Sequence, residues 1–323
     1  MEFGTYLTGA FGQSQELYKA RNEAKRGRGL QEAVVKQVAE NTQQNIKLQR
    51  EADLNFIIDP MFNFFYLFQP LVEKLEGVEV GPQENWFNNN VFYWRPQIQG
   101  LLNVQIGFTE KYLHLDQLPS DGTAMAILPS PYTLLMLSDV TGYRNKIEAV
   151  TNLAEMLHTE AQHLASKGIG RIQYDEPVIV AKQSLGSLNG KDLELLSRGI
   201  GICGKVDGAT TSLHTYFGDA GPIIPFLKDL PVDCIGIDGT ETSLNDILKH
   251  DYAEKELALG LVDARNTSLE DQVEMAEQLR IVAKITNPKK LYLTPNAGTE
   301  YRGFTHGINK LNLLKQVRSI LHE

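Results

Sequence analysis

Residues 169–175 read IGRIQYD and are followed at once by Glu176 and Pro177. Short runs of this kind, rich in β-branched residues and ending in polar residues, glycine or proline, predict β-strands. After about residue 120, such runs alternate with longer segments that have the periodicity of amphipathic helices. This alternation predicts a parallel sheet wrapped by helices, which is the arrangement of α/β proteins.

Eight runs of this type occur along the chain, and an amphipathic stretch separates most neighbours. They are residues 6–11, 54–60, 123–129, 169–175, 212–216, 232–238, 258–263 and 290–295. Eight strand-helix units predict a (β/α)8 TIM barrel. The alternative is a doubly wound open sheet, which usually has fewer strands and a glycine-rich turn after the first; the segment LTGAFGQSQEL (7–17) matches that turn poorly.

Two regions depart from a minimal barrel. Residues 13–25 and 30–51 predict two helices, separated by the RGRG sequence at 26–29, where two glycines weaken the helical pattern. Residues 76–120, between the second and third strands, predict an inserted β-hairpin, ENWFNNNVFYWRPQIQ, followed by a polar loop. The chain contains no repeat, low-complexity tract or Pro/Ser linker, so we expect one domain spanning residues 1–323.

Composition limits the partners that the chain can have. Of its 323 residues, 42% are hydrophobic, and 31 Lys and Arg residues stand against 40 Asp and Glu residues, which gives a formal charge of -9. This charge repels nucleic acid and anionic lipid surfaces. The start of the chain lacks the pattern of a secretory signal, so we expect a cytoplasmic protein. The two cysteines, Cys203 and Cys234, predict neither a disulfide framework nor a structural zinc site.

Polar residues follow the predicted strands, at the end of a barrel where active sites are built. They are Asp59, Asp175, Glu176, His214, Tyr216, Asp238, Asp263, Arg265, Asn266 and Asn296. Several carboxylates together suit an amine, a cation or a general base. The alternative is that each aspartate caps the helix that follows it.

Asp175 and Glu176 form the sharpest feature of this set. Two adjacent carboxylates at the end of an apolar strand cannot both be buried without partners, so at least one is expected to face the mouth of the barrel. His214 follows the apolar Leu213 in the strand pattern. Its imidazole could be a ligand or a base, although a histidine in such a position is more often a hydrogen-bonded core residue.

Two surface features could bind a ligand. The basic residues Lys19, Arg21, Lys25, Arg26 and Arg28 form the only dense basic patch of the sequence, and they either receive an anionic tail or form a solvated helix face. The predicted hairpin contains the aromatic residues Trp86, Phe87, Phe92, Tyr93 and Trp94. These either stack on a ligand or partner, or fold down on the barrel.

Six motifs resemble the cobalamin-independent methionine synthase family, in its order and spacing. They are QELYKA, WFNNNVFYWRP, IQYDEPVIV, LHTYFGD, LALGLVDARN and LYLTPNAG, and they span nearly the whole chain. Within that two-barrel enzyme the chain resembles the N-terminal barrel, which has no zinc, more than the zinc-bearing C-terminal barrel. The family transfers a methyl group from a methylated tetrahydropterin to homocysteine, so the resemblance implies a stand-alone version of one barrel of a methyltransferase.

The resemblance also implies which residues occupy the positions of the family's zinc ligands. In the family, zinc held by a His-x-Cys pair, a Glu and a further Cys activates the homocysteine thiol, because zinc stabilises the thiolate. The matching positions here are His214, Tyr216, Asp238 and Ala297, so only the histidine is retained. A ligand set without a thiolate is a poor match for catalytic zinc. We therefore expect no zinc in this chain.

The methyl donor implied by the resemblance is a methylated tetrahydropterin, either folate or a folate-like compound. In the family, an Arg-Glu-Leu-Lys segment and a Lys just before the Trp-Phe of the insertion contribute to binding the donor and its polyglutamate tail. Both lysines are replaced here, so a shorter or less anionic tail is expected unless Lys19 and Arg21 take over. The candidate substrate-binding residues are Gln15, Glu16, Leu17, Tyr18, Lys19, Asn85, Trp86, Asp175, Glu176 and His214.

Three functions remain open from the sequence. The first is a subunit that helps to bind the methylated pterin while a separate zinc-containing methionine synthase barrel performs the chemistry. The second is a self-sufficient methyltransferase with an altered site that uses His214 and Asp238. The third is a non-catalytic regulatory protein that binds a pterin or an amino acid.

Overall fold

The computed structural model describes residues 2–87, 89, 91–103 and 105–323. Two residues of the WFNNNVFYWRP motif, Asn88 and Asn90, lie outside the described residues, as do Met1 and Val104. The strands, in chain order, are β1 (Phe3–Thr5), β2 (Ile57–Ile58), β3 (Val78–Asn85), β4 (Phe92–Gln99), β5 (Ala124–Pro129), β6 (Asp139–Thr141), β7 (Ile169–Asp175), β8 (Thr210–Thr215), β9 (Cys234–Ile237), β10 (Glu256–Val262) and β11 (Leu291–Pro295).

The helices alternate with the strands over most of the chain. They are α1 (Gln15–Lys25), α2 (Gln31–Glu51), α3 (Gln69–Lys74), α4 (Pro131–Met136), α5 (Lys146–Ser166), α6 (Pro177–Ser184), α7 (Gly190–Cys203), α8 (Ile224–Asp229), α9 (Leu244–Leu248), α10 (Gln272–Thr286) and α11 (Phe304–His322). In the described part of the chain, no helix is both long and apolar enough to cross a membrane.

Eight parallel strands form one curled sheet in the order β1-β11-β10-β9-β8-β7-β5-β2. Its two end strands meet at a parallel bridge between Tyr6 and Phe56. Beside this bridge, the Asn55 amide donates to the Thr5 carbonyl at 2.8 Å, and Arg318 of α11 forms an ion pair of 2.9 Å with Asp53. The sheet therefore closes on itself, and the predicted (β/α)8 fold is confirmed.

The strand β7 coincides with the predicted run at 169–175, whereas the prediction for the first strand is wrong. The first strand ends at Thr5, and residues 7–11 form a buried loop. A Cβ atom on Gly9 would lie only 2.6 Å from the Gly298 Cα atom. The loop after β1 thus packs backbone against backbone on the loop after β11, and this contact buries its apolar residues without strand pairing.

The predicted helix pair after the first strand is present as α1 and α2. The Ser14 hydroxyl accepts a hydrogen bond from the Leu17 amide, which caps the start of α1 two residues later than predicted. Gly27 has a φ of +68°, a conformation that favours glycine, and it lies in the turn between the two helices. The α1 residues that face the barrel mouth are therefore held in place by the cap at one end and by the turn at the other.

Between β2 and β5 the chain forms a small second sheet. Strands β3 and β4 pair in antiparallel fashion, and β6 adds to β4. Trp86 and Tyr93 are only 6% and 2% exposed and meet the ring of Phe68 at centroid distances of 5.7 and 5.6 Å. These two aromatic residues fold down on the barrel, whereas Phe92 remains 48% exposed.

Candidate functional site

A cavity of about 1320 Å³ opens at the carboxyl ends of the barrel strands. Six strands of the barrel or the loops that follow them contribute to it, through Phe11, Phe62, Ile127, Asp175, Tyr216 and Glu300. Helices α1 and α2 and the β3–β4 hairpin form its outer wall. The cavity thus lies where TIM-barrel proteins place their active sites.

Asp175 supplies a carboxyl group at the base of this cavity. It is the last residue of β7 and is 6% exposed. Its two oxygens accept hydrogen bonds from Gln173 Nε2 at 2.8 Å and from the Tyr216 hydroxyl at 3.1 Å. Burial raises the pKa of Asp175 to about 7, although both hydrogen bonds oppose that rise. The group can therefore gain or lose a proton near neutral pH.

Glu300 supplies a second carboxyl group to the cavity. It lies in the loop after β11, above Gly298, which has no side chain to obstruct it. Burial raises the pKa of Glu300 to about 8, and the negative charge of Asp175 acts in the same direction. Burial and the charge of Asp175 therefore both favour the protonated form of the second carboxyl group in this cavity.

Glu176 does not face the cavity, although the sequence could not separate it from Asp175. One oxygen caps α6 by accepting from the Ile179 amide at 2.9 Å, and the other accepts from the Ser130 hydroxyl and the Thr133 amide. Burial raises its pKa to about 7. Its position between α6 and the start of α4 gives it a structural role.

His214 lies inside the barrel, and it is absent from the cavity wall. Its Nε2 atom is hydrogen-bonded to the Tyr6 hydroxyl at 2.8 Å. Burial and the positive charge of Arg171 lower the pKa of His214 to about 3, so the imidazole is neutral at physiological pH. This hydrogen bond joins β8 to Tyr6, the residue whose bridge to Phe56 closes the barrel. His214 is therefore a hydrogen-bonded core residue, which was one of the two possibilities that the sequence left open.

The candidate residues on α1 divide between the cavity and the rest of the helix. Gln15 and Tyr18 line the cavity, whereas Leu17 is fully buried in the core. Glu16 and Lys19 are exposed and do not contribute to the cavity wall. The structure therefore brings only two of the five α1 candidates to the cavity.

Arg21 and Lys25 are the basic residues that line the cavity in the described part of the chain. Arg21 donates a hydrogen bond to the Phe62 carbonyl, and its guanidinium lies 5.0 Å from the centre of the Phe65 ring. Burial lowers the pKa of Arg21 from its ordinary value, but an arginine stays charged in proteins. The cavity therefore has acidic groups at its base and positive charge on its α1 wall.

The hairpin contributes one of its two candidate residues to the cavity. Trp86 lines the wall, whereas Asn85 is not part of it and donates from Nδ2 to the Asn89 carbonyl at 2.7 Å. Sequence analysis missed Glu300 and Tyr301, which are both cavity residues. Their position in the loop after β11, between Gly298 and Gly303, could have indicated them, because loops after barrel strands carry functional residues.

The whole chain is similar to one family. Residues 3–319 match the family model described as "Cobalamin-independent synthase, Catalytic domain". The chain belongs to this family. The matching model is that of the catalytic domain, whereas the motifs described above resemble the N-terminal barrel.

The chain is also similar to relatives named methionine synthase, and it shares its fold with solved structures. The methionine synthase of Saccharolobus islandicus (strain Y.G.57.14 / Yellowstone #1) is 24% identical over 250 residues, which cover 74% of this chain and 69% of that protein. A B12-independent methionine synthase from Shewanella sp. W3-18-1, solved in complex with selenomethionine, has a TM-score of 0.77, 19% identity and coverage of 100% and 98% of the two chains. A putative vitamin-B12 independent methionine synthase from Listeria monocytogenes has a TM-score of 0.74, 18% identity and 99% coverage of both chains.

The residues at the family's zinc positions do not fit a zinc ion. His214 is bonded to Tyr6, and the Tyr216 hydroxyl donates to Asp175. Asp238 accepts from the Phe217 amide and from the amide and hydroxyl of Thr240. The fourth position, 297, is an alanine. In residues 2–87, 89, 91–103 and 105–323, no three His, Cys, Asp or Glu side chains form a group that could hold a metal ion.

Proposed function

We propose that this chain binds a methylated tetrahydropterin in the barrel cavity and presents it for methyl transfer to homocysteine in methionine formation. The observation that supports this proposal is the set of residues that line the cavity. They place carboxyl groups at its base, aromatic side chains on its walls and Arg21 and Lys25 on one side. The pyrimidine ring of a tetrahydropterin is flat and carries several N–H donors on one edge, and a carboxyl oxygen accepts a hydrogen bond from such a donor. Its glutamate tail is anionic and suits the α1 side.

Thiol activation would come from a separate zinc-bearing methionine synthase barrel. This part of the proposal is supported by the substituted zinc positions, since Tyr216 and Ala297 supply no sulfur ligand. Without a metal-bound thiolate, the acceptor sulfur remains a thiol with a pKa of about 8.5 and attacks poorly at neutral pH. Exposed apolar residues at the mouth, including Phe65 and Phe92, are available to meet a partner.

Two measurements test this function. Calorimetric titration of the purified chain with 5-methyltetrahydrofolate, as the monoglutamate and the triglutamate, is expected to give saturable binding to a single site. Mixing the chain with a zinc-containing methionine synthase barrel is expected to form a complex and to increase methionine formation. Absence of pterin binding would reject the proposal. Pterin binding without a complex or any gain in methionine would reject the role of the partner.

A second candidate is complete methyl transfer by this chain alone. The match to the catalytic-domain model over residues 3–319 favours it, as do the two titratable carboxyl groups in the cavity. Metal analysis and a turnover assay on the single purified chain distinguish the two functions. Stoichiometric zinc, or methionine formation without a partner, would support the second candidate over the first.

A further inference from the structure

Glu300 stands out among the acidic residues of the cavity. Asp175 has a donor on each oxygen, and Glu73 accepts from Gln69 and from the Tyr112 hydroxyl. Glu300 Oε2 is buried, and within the described residues no donor forms a hydrogen bond with it. A buried carboxyl oxygen without a partner destabilises the folded protein, so its presence in a cavity points to a partner on a ligand.

The backbone beneath Glu300 is shaped to hold this carboxyl group in place. A Cβ atom on Gly298 would overlap Glu300 Oε2 and would lie 2.9 Å from the Ala10 amide nitrogen. Only a glycine leaves room there for the carboxyl group between the loops that follow β11 and β1. The closely packed loops therefore limit the position of Glu300, and the neighbouring Tyr301 side chain acts on the same carboxyl group.

The surroundings of Glu300 keep its carboxyl group protonated at neutral pH. The titratable groups that face it are Asp175 from β7, Tyr216 after β8 and Tyr301 of its own loop, and Arg265 acts on Tyr301 from the loop after β10. Burial is the main reason that the pKa of Glu300 rises to about 8. A protonated carboxyl group can donate a hydrogen bond, which an ionised one cannot.

We propose that Glu300 donates its proton to the ring nitrogen that carries the methyl group of a bound methylated tetrahydropterin. The inference rests on the proposed function, which supplies the pterin, and it adds the residue that acts on it. A neutral carboxylic acid and a tertiary amine share one proton favourably in a site from which water is excluded, because the ion pair or hydrogen bond that results satisfies both groups. Glu300 is then a catalytic residue of this chain.

The chemistry of methyl transfer requires such a proton. A thiolate attacks the methyl carbon, the new S–C bond forms, and the N–C bond breaks with its electron pair remaining on the nitrogen. The proton from Glu300 converts that nitrogen to a neutral secondary amine, and Glu300 is left as a carboxylate. The thiolate is that of homocysteine, held by the partner barrel, so atoms and charges balance. General acid catalysis of this kind contributes a factor of about 10² to 10⁴ in rate.

The test compares two ligands that differ at the nitrogen. Full-length protein is titrated with 5-methyltetrahydrofolate and with its 5-deaza analogue, in which carbon replaces the methyl-bearing nitrogen. We expect the wild-type protein to bind the first at least about tenfold more tightly at pH 7. We expect Glu300→Gln, whose amide still donates a hydrogen bond but does not titrate, to keep a preference that no longer changes with pH. The preference of the wild-type protein is expected to fall as the pH rises through about 8, because Glu300 then loses the proton that it donates.

Glu32→Gln is the matched control, since Glu32 is an exposed residue of α2 that undergoes the same change of charge. It is expected to behave as the wild-type protein does. Equal affinity of the wild-type protein for both ligands, or a fall of the preference with pH that Glu300→Gln retains, would overturn the inference and leave the proposed function standing. Failure of the wild-type protein to bind either pterin would overturn both.

Discussion

Replacing Glu300 by glutamine is expected to flatten the dependence of stability on pH. The folded protein holds this carboxyl at a pKa of about 8, against an ordinary value of 4.5 for a glutamate in the unfolded chain. Between these two values, folding takes up a proton. The stability that this proton contributes is fully present below pH 4.5 and is lost as the pH rises through about 8. A glutamine is neutral in both states and loses nothing over the same range.

The size of the effect follows from the difference between the two pKa values. Each pH unit within that window changes the free energy of unfolding by about 1.4 kcal/mol for one group. Between about pH 5.5 and pH 8, the wild-type protein should therefore lose about 3 kcal/mol more stability than the glutamine variant. Losses from Asp175 and Glu176, whose pKa values are also raised, occur in both proteins and largely cancel in the comparison.

Urea unfolding measures this difference. Both tryptophans, Trp86 and Trp94, lie in the β3–β4 region beside the cavity, so their fluorescence reports unfolding at both pH values. The control is again Glu32→Gln, which should follow the wild-type curve. Equal loss of stability with pH in the wild-type protein and in Glu300→Gln would show that the Glu300 carboxyl group is already ionised or solvated at pH 7. That result would contradict the raised pKa of Glu300.

Three further predictions concern other contacts. Tyr6→Phe leaves His214 Nε2 without its partner inside the barrel, so it should lower the free energy of unfolding by about 1–3 kcal/mol in a denaturant titration; an unchanged midpoint would show that water replaces the hydroxyl. Gly298→Ala places a methyl group where Glu300 Oε2 lies, so it should weaken pterin binding by about tenfold with an unchanged circular dichroism spectrum; unaltered affinity would contradict the proposed position. Arg21→Ala should weaken binding of the triglutamate form of 5-methyltetrahydrofolate by about tenfold in calorimetric titration and leave binding of the monoglutamate form unchanged. Equal losses of affinity for both forms would show that the arginine acts only on the fold.

The strands could be predicted from the sequence because a parallel barrel buries both faces of each strand. Short runs that end in polar residues therefore mark them, and β7 was located to the residue although Arg171 and Gln173 interrupt its apolar pattern. Residues 7–11 are equally apolar and were mistaken for a strand, because burial under a loop leaves the same composition as burial in a sheet. The close approach of Gly9 to Gly298 decides the difference, and it joins residues almost 300 positions apart in the chain.

The site could be predicted only in part. Polar residues after strands indicate the correct end of the barrel, and this placed Asp175 and Tyr216. The sequence could not separate Asp175 from Glu176, since only the capping contacts of Glu176 turn it away from the cavity. The strand pattern could not indicate Glu300, because a residue between regular elements follows no hydrophobic periodicity. Its raised pKa results from burial and from the charge of Asp175, which is distant in the sequence.

The closure of the barrel between β1 and β2 also bears on how the molecule opens. Every other neighbouring pair in the sheet is joined along a strand ladder, whereas this junction has a parallel bridge at Tyr6 and Phe56, with α11 fastened across it through Arg318 and Asp53. Local unfolding begins where the fewest hydrogen bonds must break together. Among the neighbouring strand pairs of the sheet, amide hydrogen exchange should therefore be fastest between β1 and β2. Helix α11 stabilises this junction through the ion pair of Arg318 with Asp53.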